Sequence, residues 1–291
     1  MTNLFYAVIF GGIMAVGLPL NIVALWILLR HHSLKSPSAV YMVNLAISDL
    51  LLIITLPMRI YFYATGNWSL GSLVCVSITM LFRNNIRSSS IFITFISVDR
   101  LLAVVYPLRS RHLRTPSRAV KGSVLVWLFV LVMNIPEGLN FYKKASSNET
   151  TCFESVPFNH GRPPLSYFYL VLVLILMVIN IVCTAMVSWT LRNHLSDSAK
   201  VKNKVNVLLI FFLNMVLFII CFVPVSLGAI TVSDSSELTP MICLASVNCC
   251  LDPLLYYFSL DAFWKKKETV HMTREQMTTQ RTEDTHCHRP L

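Results

Sequence analysis

Residues 38–64 read SAVYMVNLAISDLLLIITLPMRIYFYA. One helical passage through the hydrocarbon of a bilayer needs roughly 20 apolar residues, and this run supplies them. It also carries a carboxylate, Asp49, near its middle and a guanidinium, Arg59, toward one end. Charge at that depth is costly, so it belongs on a polar interior and not on a lipid-facing side. Six comparable runs surround it, over about 4–29, 72–106, 118–140, 165–194, 201–230 and 238–259. The expected fold is an all-α membrane protein, a seven-transmembrane helix bundle.

Composition agrees. Apolar residues make up 55% of the 291 and charged residues only 13%, against about 25% charged in a soluble domain. The net charge of +10 would suit nucleic-acid binding if it formed one patch, but its distribution argues against a nucleic-acid partner. Arg30, His31, His32 and Lys35 lie between the first two runs, and Arg109, Arg111, Arg114 and Arg118 between the third and fourth. Arg192, Lys200, Lys202 and Lys204 lie between the fifth and sixth, and Lys265, Lys266 and Lys267 follow the seventh. All four clusters fall on one side of the bilayer, which places the N-terminus outside and the C-terminus in the cytosol of a multi-pass membrane protein. No cleavable leader is expected, because the first apolar run is too long for a signal core and lacks a basic flank.

Of the eight cysteines, Cys75 and Cys152 fall on the outer side, where the compartment is oxidising and a bridge is expected. Cys183, Cys221, Cys249 and Cys250 lie inside crossings, and Cys243 has no evident partner. Two glycosylation sequons, at Asn67 and Asn148, also lie outside.

Several short motifs occur in order on successive crossings: Gly17-Leu-Pro-Leu-Asn21, Asn44-Leu-Ala-Ile-Ser-Asp49, Asp99-Arg100-Leu101, Trp127, Cys221-Phe-Val-Pro224, and Asn248 followed by Asp252-Pro-Leu-Leu-Tyr256. Together they resemble the rhodopsin-class (class A) G-protein-coupled receptors, over residues 4 to about 267. Leu56-Pro-Met-Arg59, Tyr106-Pro-Leu-Arg109, His112-Leu-Arg114 and Cys152-Phe-Glu-Ser155 narrow the resemblance to the purinergic-like lipid receptor branch, and within it to the type-five lysophosphatidic acid receptors. Asn248-Cys-Cys-Leu-Asp252 is equally similar to the orphan receptor numbered thirty-five, a sensor of aromatic carboxylates.

The resemblance implies a receptor domain over 1–267 that ends in a short membrane-parallel eighth helix near Phe263. A disordered cytosolic tail is expected over 268–291, with threonines available to arrestin. It implies coupling to heterotrimeric G proteins through Asp99, Arg100, Pro107, Leu108 and Tyr256, with Arg100 paired to Asp99 at rest. It implies an allosteric sodium ion held by Asp49, Ser89, Asn248 and Asp252 with Asn85 nearby; the alternative is a hydrogen-bond network with no ion. No other cofactor and no enzymatic activity are expected.

The ligand is read from the arginines. Arg83 lies eight residues after Cys75, roughly 12 Å deeper along a helix. Arg87 is one turn further on the same face. Arg59 follows Pro57 on the neighbouring crossing. A guanidinium that deep pairs with an acid or serves an anionic ligand through its bidentate fork. Glu137 is an acid able to neutralise one of the three. The expected agonist is a small anionic lipid such as lysophosphatidic acid, held by Arg59, Arg83 and Arg87 with Phe82 and Phe222 lining the pocket. The alternative agonist is a nucleotide or an aromatic carboxylate metabolite, and the two aromatics are equally readable as plain core.

The chain departs from the family pattern in three ways. Leu101 replaces the aromatic after Arg100, the fifth crossing has no proline, and Tyr169 is that crossing's last tyrosine. A retinal protein would need a lysine in 238–259, and none is there. A transporter would show interrupted, repeat-related helices.

Overall fold

The computed structural model describes residues 3–30, 36–147, 152–153, 164–194, 201–232 and 235–257. The elements in chain order are α1 (Leu4–Arg30), α2 (Pro37–Thr65), α3 (Gly71–Val105), α4 (Pro116–Ser147), α5 (Pro164–His194), α6 (Val201–Leu217), a π-helical turn (Phe218–Phe222), α7 (Val223–Thr231) and α8 (Ser235–Ser246). Helix resumes over 248–257 after a turn at Val247. Seven helical segments are long and apolar enough to cross a bilayer; α6, the π turn and α7 together supply the sixth, and 237–257 the seventh. The expected crossings are therefore present. The segment from 258 onward lies outside the described residues, and with it the expected eighth helix, the tail and Lys265 to Lys267.

Local chemistry sets the ends of α2. The Ser36 side chain accepts the Ala39 N–H at 3.2 Å, and Pro37 sits in the first turn, where a missing N–H costs nothing. Gly66 closes the helix in the left-handed conformation, φ 73°, which a residue without a Cβ adopts freely.

The long, sloping α3 packs on α2, α4 and α5 and runs through the centre of the bundle. Apolar side chains such as Leu125, Val132, Ile175 and Trp189 point outward. Their exposure makes sense only in a lipid solvent. The interior is mixed. Gly17 lets α1 approach closely: a Cβ there would sit 3.1 Å from Cys249 Sγ and 3.3 Å from Ile53 Cδ1. One turn on, Asn21 Nδ2 donates to the Cys249 carbonyl at 2.7 Å. Trp127 Nε1 donates to Asn44 Oδ1 at 2.8 Å and ties α4 to α2.

Pro224 explains the irregular sixth crossing. Proline has no N–H and its ring clashes with the carbonyl one turn back. The helix answers with a wider turn, in which the Val223 N–H reaches Phe218 O, five residues earlier.

Candidate functional site: arginines, a buried acid pair and a polar tie

At the end of the bundle where α3 begins, Cys75 and Cys152 form a disulfide with a Cα–Cα distance of 5.7 Å. The expected bridge is thus present, and it lays residues 152–153 over the mouth between α2 and α3. Asn67, the nearer sequon, is exposed in the turn after α2. Asn148 lies outside the described residues.

Beneath that strap is Arg59, 2% exposed. It makes no ion pair and no hydrogen bond among the described residues, and its buried Nε has no partner. Its neighbours are aromatic: the guanidinium carbon lies 4.4 Å from the centre of the Phe82 ring and 4.5 Å from that of Phe153. Cation–π contacts are worth about 0.5–2 kcal/mol each. They offset part of the desolvation of a buried charge but supply no lone pair to its N–H groups.

Arg83 and Arg87 are placed differently. Both bond to Glu137 of α4, one to each carboxylate oxygen. Arg87 also donates to Asn134 Oδ1, whose amide donates to Asn84 Oδ1 at 3.2 Å. The Tyr169 ring covers Arg87 at 3.5 Å. The expectation that Glu137 neutralises one arginine is exceeded, because the carboxylate is shared between two. Two guanidinium groups therefore share one carboxylate, and Arg59 and Arg83 are near enough for their charges to interact. Phe82 lies where it was expected. Phe222 does not. It is fully buried, edge-on to Phe218 at 5.3 Å between ring centres. It packs in the core cluster that holds Phe92, Tyr256 and Cys221, whereas Phe82 packs with Cys75, Cys152 and Trp68. It is a buried core residue in a different cluster from Phe82. A groove of 620 Å³ between α3 and α4, lined by Leu73, Met80, Leu131 and Tyr142, opens on the outside of the bundle and touches none of the three arginines.

Mid-bundle, Asp49 and Asp252 are fully buried and close enough for their charges to interact. Asn85 Nδ2 donates to Asp49 Oδ1 at 3.0 Å and bridges to Ser89 Oγ at 3.2 Å. Asn248 Nδ2 reaches Asn85 Oδ1 at 3.4 Å. The expected four thus converge, but Ser89 and Asn248 act through Asn85, the residue that contacts Asp49 directly. Asp49 Oδ2, both Asp252 oxygens and Asn248 Oδ1 are buried with no protein donor. An orphaned set of hard oxygens around two acids fits a small monovalent cation or a shared proton. Tyr256, one turn past Asp252, is buried, and its hydroxyl has no partner.

At the opposite end the expected Asp99–Arg100 pair is absent. Arg114, from the turn after α3, takes the Asp99 carboxylate instead, Nε donating to Oδ1 at 2.8 Å and Nη2 to Oδ2 at 3.0 Å. Ser38 donates to the same Oδ2. Arg100 is left with a buried, unpartnered Nε. The physical reason is geometric: adjacent residues on a helix diverge by about 100°, so Asp99 meets the elements packed on its own side. Pro107 is exposed, and Leu108 is 89% exposed.

One group was not singled out from sequence. Ser97 Oγ donates to Asn180 Oδ1 at 2.6 Å, Asn180 Nδ2 donates to Thr94 Oγ1 at 2.9 Å, and Asn214 Nδ2 donates to Ser97 Oγ at 2.6 Å. This ties α3, α5 and α6 together where the proline and tyrosine of the fifth crossing are missing. The signal was available: an asparagine inside an apolar crossing needs an internal partner.

A disulfide-strapped seven-helix bundle with a buried acid pair at its middle and an Asp-Arg step at one end defines a class. Residues 20–256 match the family model described as the seven-transmembrane receptor, rhodopsin family, and the chain belongs to that family, whose members are receptors and not enzymes. Among its relatives, lysophosphatidic acid receptor 6 of Gallus gallus is 35% identical over 91% of this chain and 94% of its own length. Lysophosphatidic acid receptor 5 of Bos taurus is 35% identical over 89% of this chain and 76% of its own, and lysophosphatidic acid receptor 4 of Homo sapiens 33% over 93% and 80%. The narrower resemblance read from the motifs, to the lysophosphatidic acid receptors, holds.

Proposed function

We propose that this protein is a receptor for a small anionic lipid, a lysophospholipid of the lysophosphatidic acid type, whose phosphate is held at Arg59 with Arg83 and Arg87 alongside. One observation carries the reading: Arg59 is buried, makes no ion pair among the described residues, and its buried Nε has no partner. An isolated buried charge costs several kcal/mol, and a phosphate monoester supplies both the charge and paired acceptors. The relatives' names point to the same ligand class.

The disulfide end faces outward and the Asp99 end the cytosol, because Arg30, Arg109, Arg111, Arg114 and Arg118 gather at the latter. Asn67 and Asn148 are glycan acceptors on the outer side. Arg100, Pro107 and Leu108 meet a heterotrimeric G protein once the sixth crossing swings at Pro224. The threonines of the tail serve arrestin after phosphorylation. A sodium ion at Asp49, Asp252, Asn248 and Ser89 would neutralise the acid pair in the resting receptor.

The test is agonist-driven nucleotide exchange in membranes from cells expressing the chain, using oleoyl lysophosphatidic acid, shorter acyl homologues, nucleotides and aromatic carboxylates. Oleoyl lysophosphatidic acid should activate, with potency falling as the chain shortens, and R59A should weaken it at least about tenfold. Activation by a nucleotide or an aromatic acid alone, or full potency in R59A, overturns the reading.

A further inference from the structure

Phe153 has a backbone φ of 68° and is the one non-glycine residue among those described with a positive φ. A bulky side chain in the left-handed region persists only where its surroundings over-determine it. Cys152, its neighbour, is bonded to Cys75 at the head of α3. The Phe153 ring meets Phe62 edge-on at 5.3 Å and Trp68 at 5.4 Å. Trp68 is itself anchored by its Nε1 donating to Gly71 O at 2.8 Å. The strained turn thus delivers one side chain, and that side chain lies against the Arg59 guanidinium, with Phe82 the second ring against it.

We propose that Phe153 is the positioning residue of the anion site. It is the part of the disulfide strap that holds the Arg59 fork in one orientation so that a phosphate meets two aligned N–H groups. The inference rests on the reading that an anion binds at Arg59 and adds to it the device that makes the site selective. An arginine on a flexible stem loses rotamer freedom when it binds. Two aromatic contacts remove that freedom beforehand without consuming a single N–H donor. A carboxylate or amide partner would hold the guanidinium equally well but would occupy the donors the ligand needs. The strained backbone, the disulfide and the aromatic edge contacts all converge on this placement.

The test measures equilibrium binding of labelled oleoyl lysophosphatidic acid to membranes matched for surface receptor. Variants are F153A, F153L, F153Y, R59A, R59K and the double variant F153A/R59K. F153A and F153L should each weaken binding about tenfold, while F153Y, which keeps the ring face, stays within about twofold of wild type. An ammonium is a point charge with no fork to align, so adding F153A to R59K should cost less than about twofold. Equal losses from F153A in the wild-type and R59K backgrounds would make Phe153 a merely structural prop and overturn the inference. So would wild-type binding by F153L, or a loss in F153Y as large as in F153L. Where R59K binds too weakly to titrate, or F153A fails to reach the surface, the contrast between F153Y and F153L decides. The two readings fail separately. If R59A binds normally, or the wild type does not bind the lipid, the anion site at Arg59 is wrong and this inference falls with it. If R59A abolishes binding and the Phe153 variants leave it unchanged, only the positioning role is wrong.

Discussion

Glu137 shows how much one carboxylate decides. The i, i+4 spacing of Arg83 and Arg87 was legible in the sequence, and so was the need for an acid or an anion. Which acid, and how many arginines it serves, depends on the rotation of α4 against α3, and nothing in either helix alone encodes that. The shared arrangement has an asymmetric consequence. Removing Arg83, the more exposed partner at 36%, leaves a complete Arg87–Glu137 pair supported by Asn134. Removing Glu137 strands two guanidinium groups, and an uncompensated buried charge costs about 3–5 kcal/mol. E137Q should therefore lower the thermal midpoint of the detergent-solubilised receptor and its surface level far more than R83Q does. Equal midpoints for the two variants would mean that Glu137 is not the shared counter-charge.

At the scale of helices, the apolar periods located every crossing to within a few residues, because a bilayer dictates length and hydrophobicity directly. What they hid is how the helices are tied. Asn180 and Asn214 each interrupt an apolar run by one residue, so a hydropathy reading passes over them. Pro224, by contrast, announced its irregular turn, because a missing N–H has the same consequence in any helix. The Asn180–Ser97–Asn214 tie holds α5 and α6 onto α3 in an arrangement where Arg100 has its Nε buried and Asp99 is engaged by Arg114. Under the coupling role proposed for Arg100, this arrangement, with the Arg100 Nε buried, is the silent one. Each hydrogen bond contributes about 0.5–1.5 kcal/mol. Asn180→Ala removes two side-chain bonds between helices and should raise ligand-free nucleotide exchange by a factor of several, up to about tenfold. Agonist-saturated exchange should stay near wild type. Basal exchange at the wild-type level would show that the tie is indifferent to the state of the receptor.

Across the whole molecule, the crossings are joined at the acid pair. Asn21 of α1 holds the Cys249 carbonyl, Asn85 of α3 holds Asp49 of α2, and Asn248 reaches Asn85 from the seventh crossing. Four crossings thus meet around Asp49 and Asp252. The sequence revealed the members, since each interior polar residue stood out against apolar neighbours. It did not reveal that Asn85 is the hub, because Asn85 sits among the serines and asparagines of α3 with nothing to rank it above them. Two buried carboxylates with orphaned oxygens repel one another unless a proton or a cation lies between them. A bound cation stabilises the arrangement that holds it and no other. Sodium chloride should then raise the thermal midpoint of the solubilised wild-type receptor above that in choline chloride at equal ionic strength. It should also right-shift agonist activation, since it favours the resting packing. Asp252→Asn removes one acid, keeps the shape and relieves the repulsion, so this variant should be more stable than wild type in choline yet gain little from sodium. Asp49→Asn should lose the sodium response altogether, because Asn85 then faces an amide in place of its carboxylate. If sodium and choline give the same midpoint for the wild type, a shared proton holds the acid pair, and the junction of the four crossings is a hydrogen-bonded strut with no ion in it.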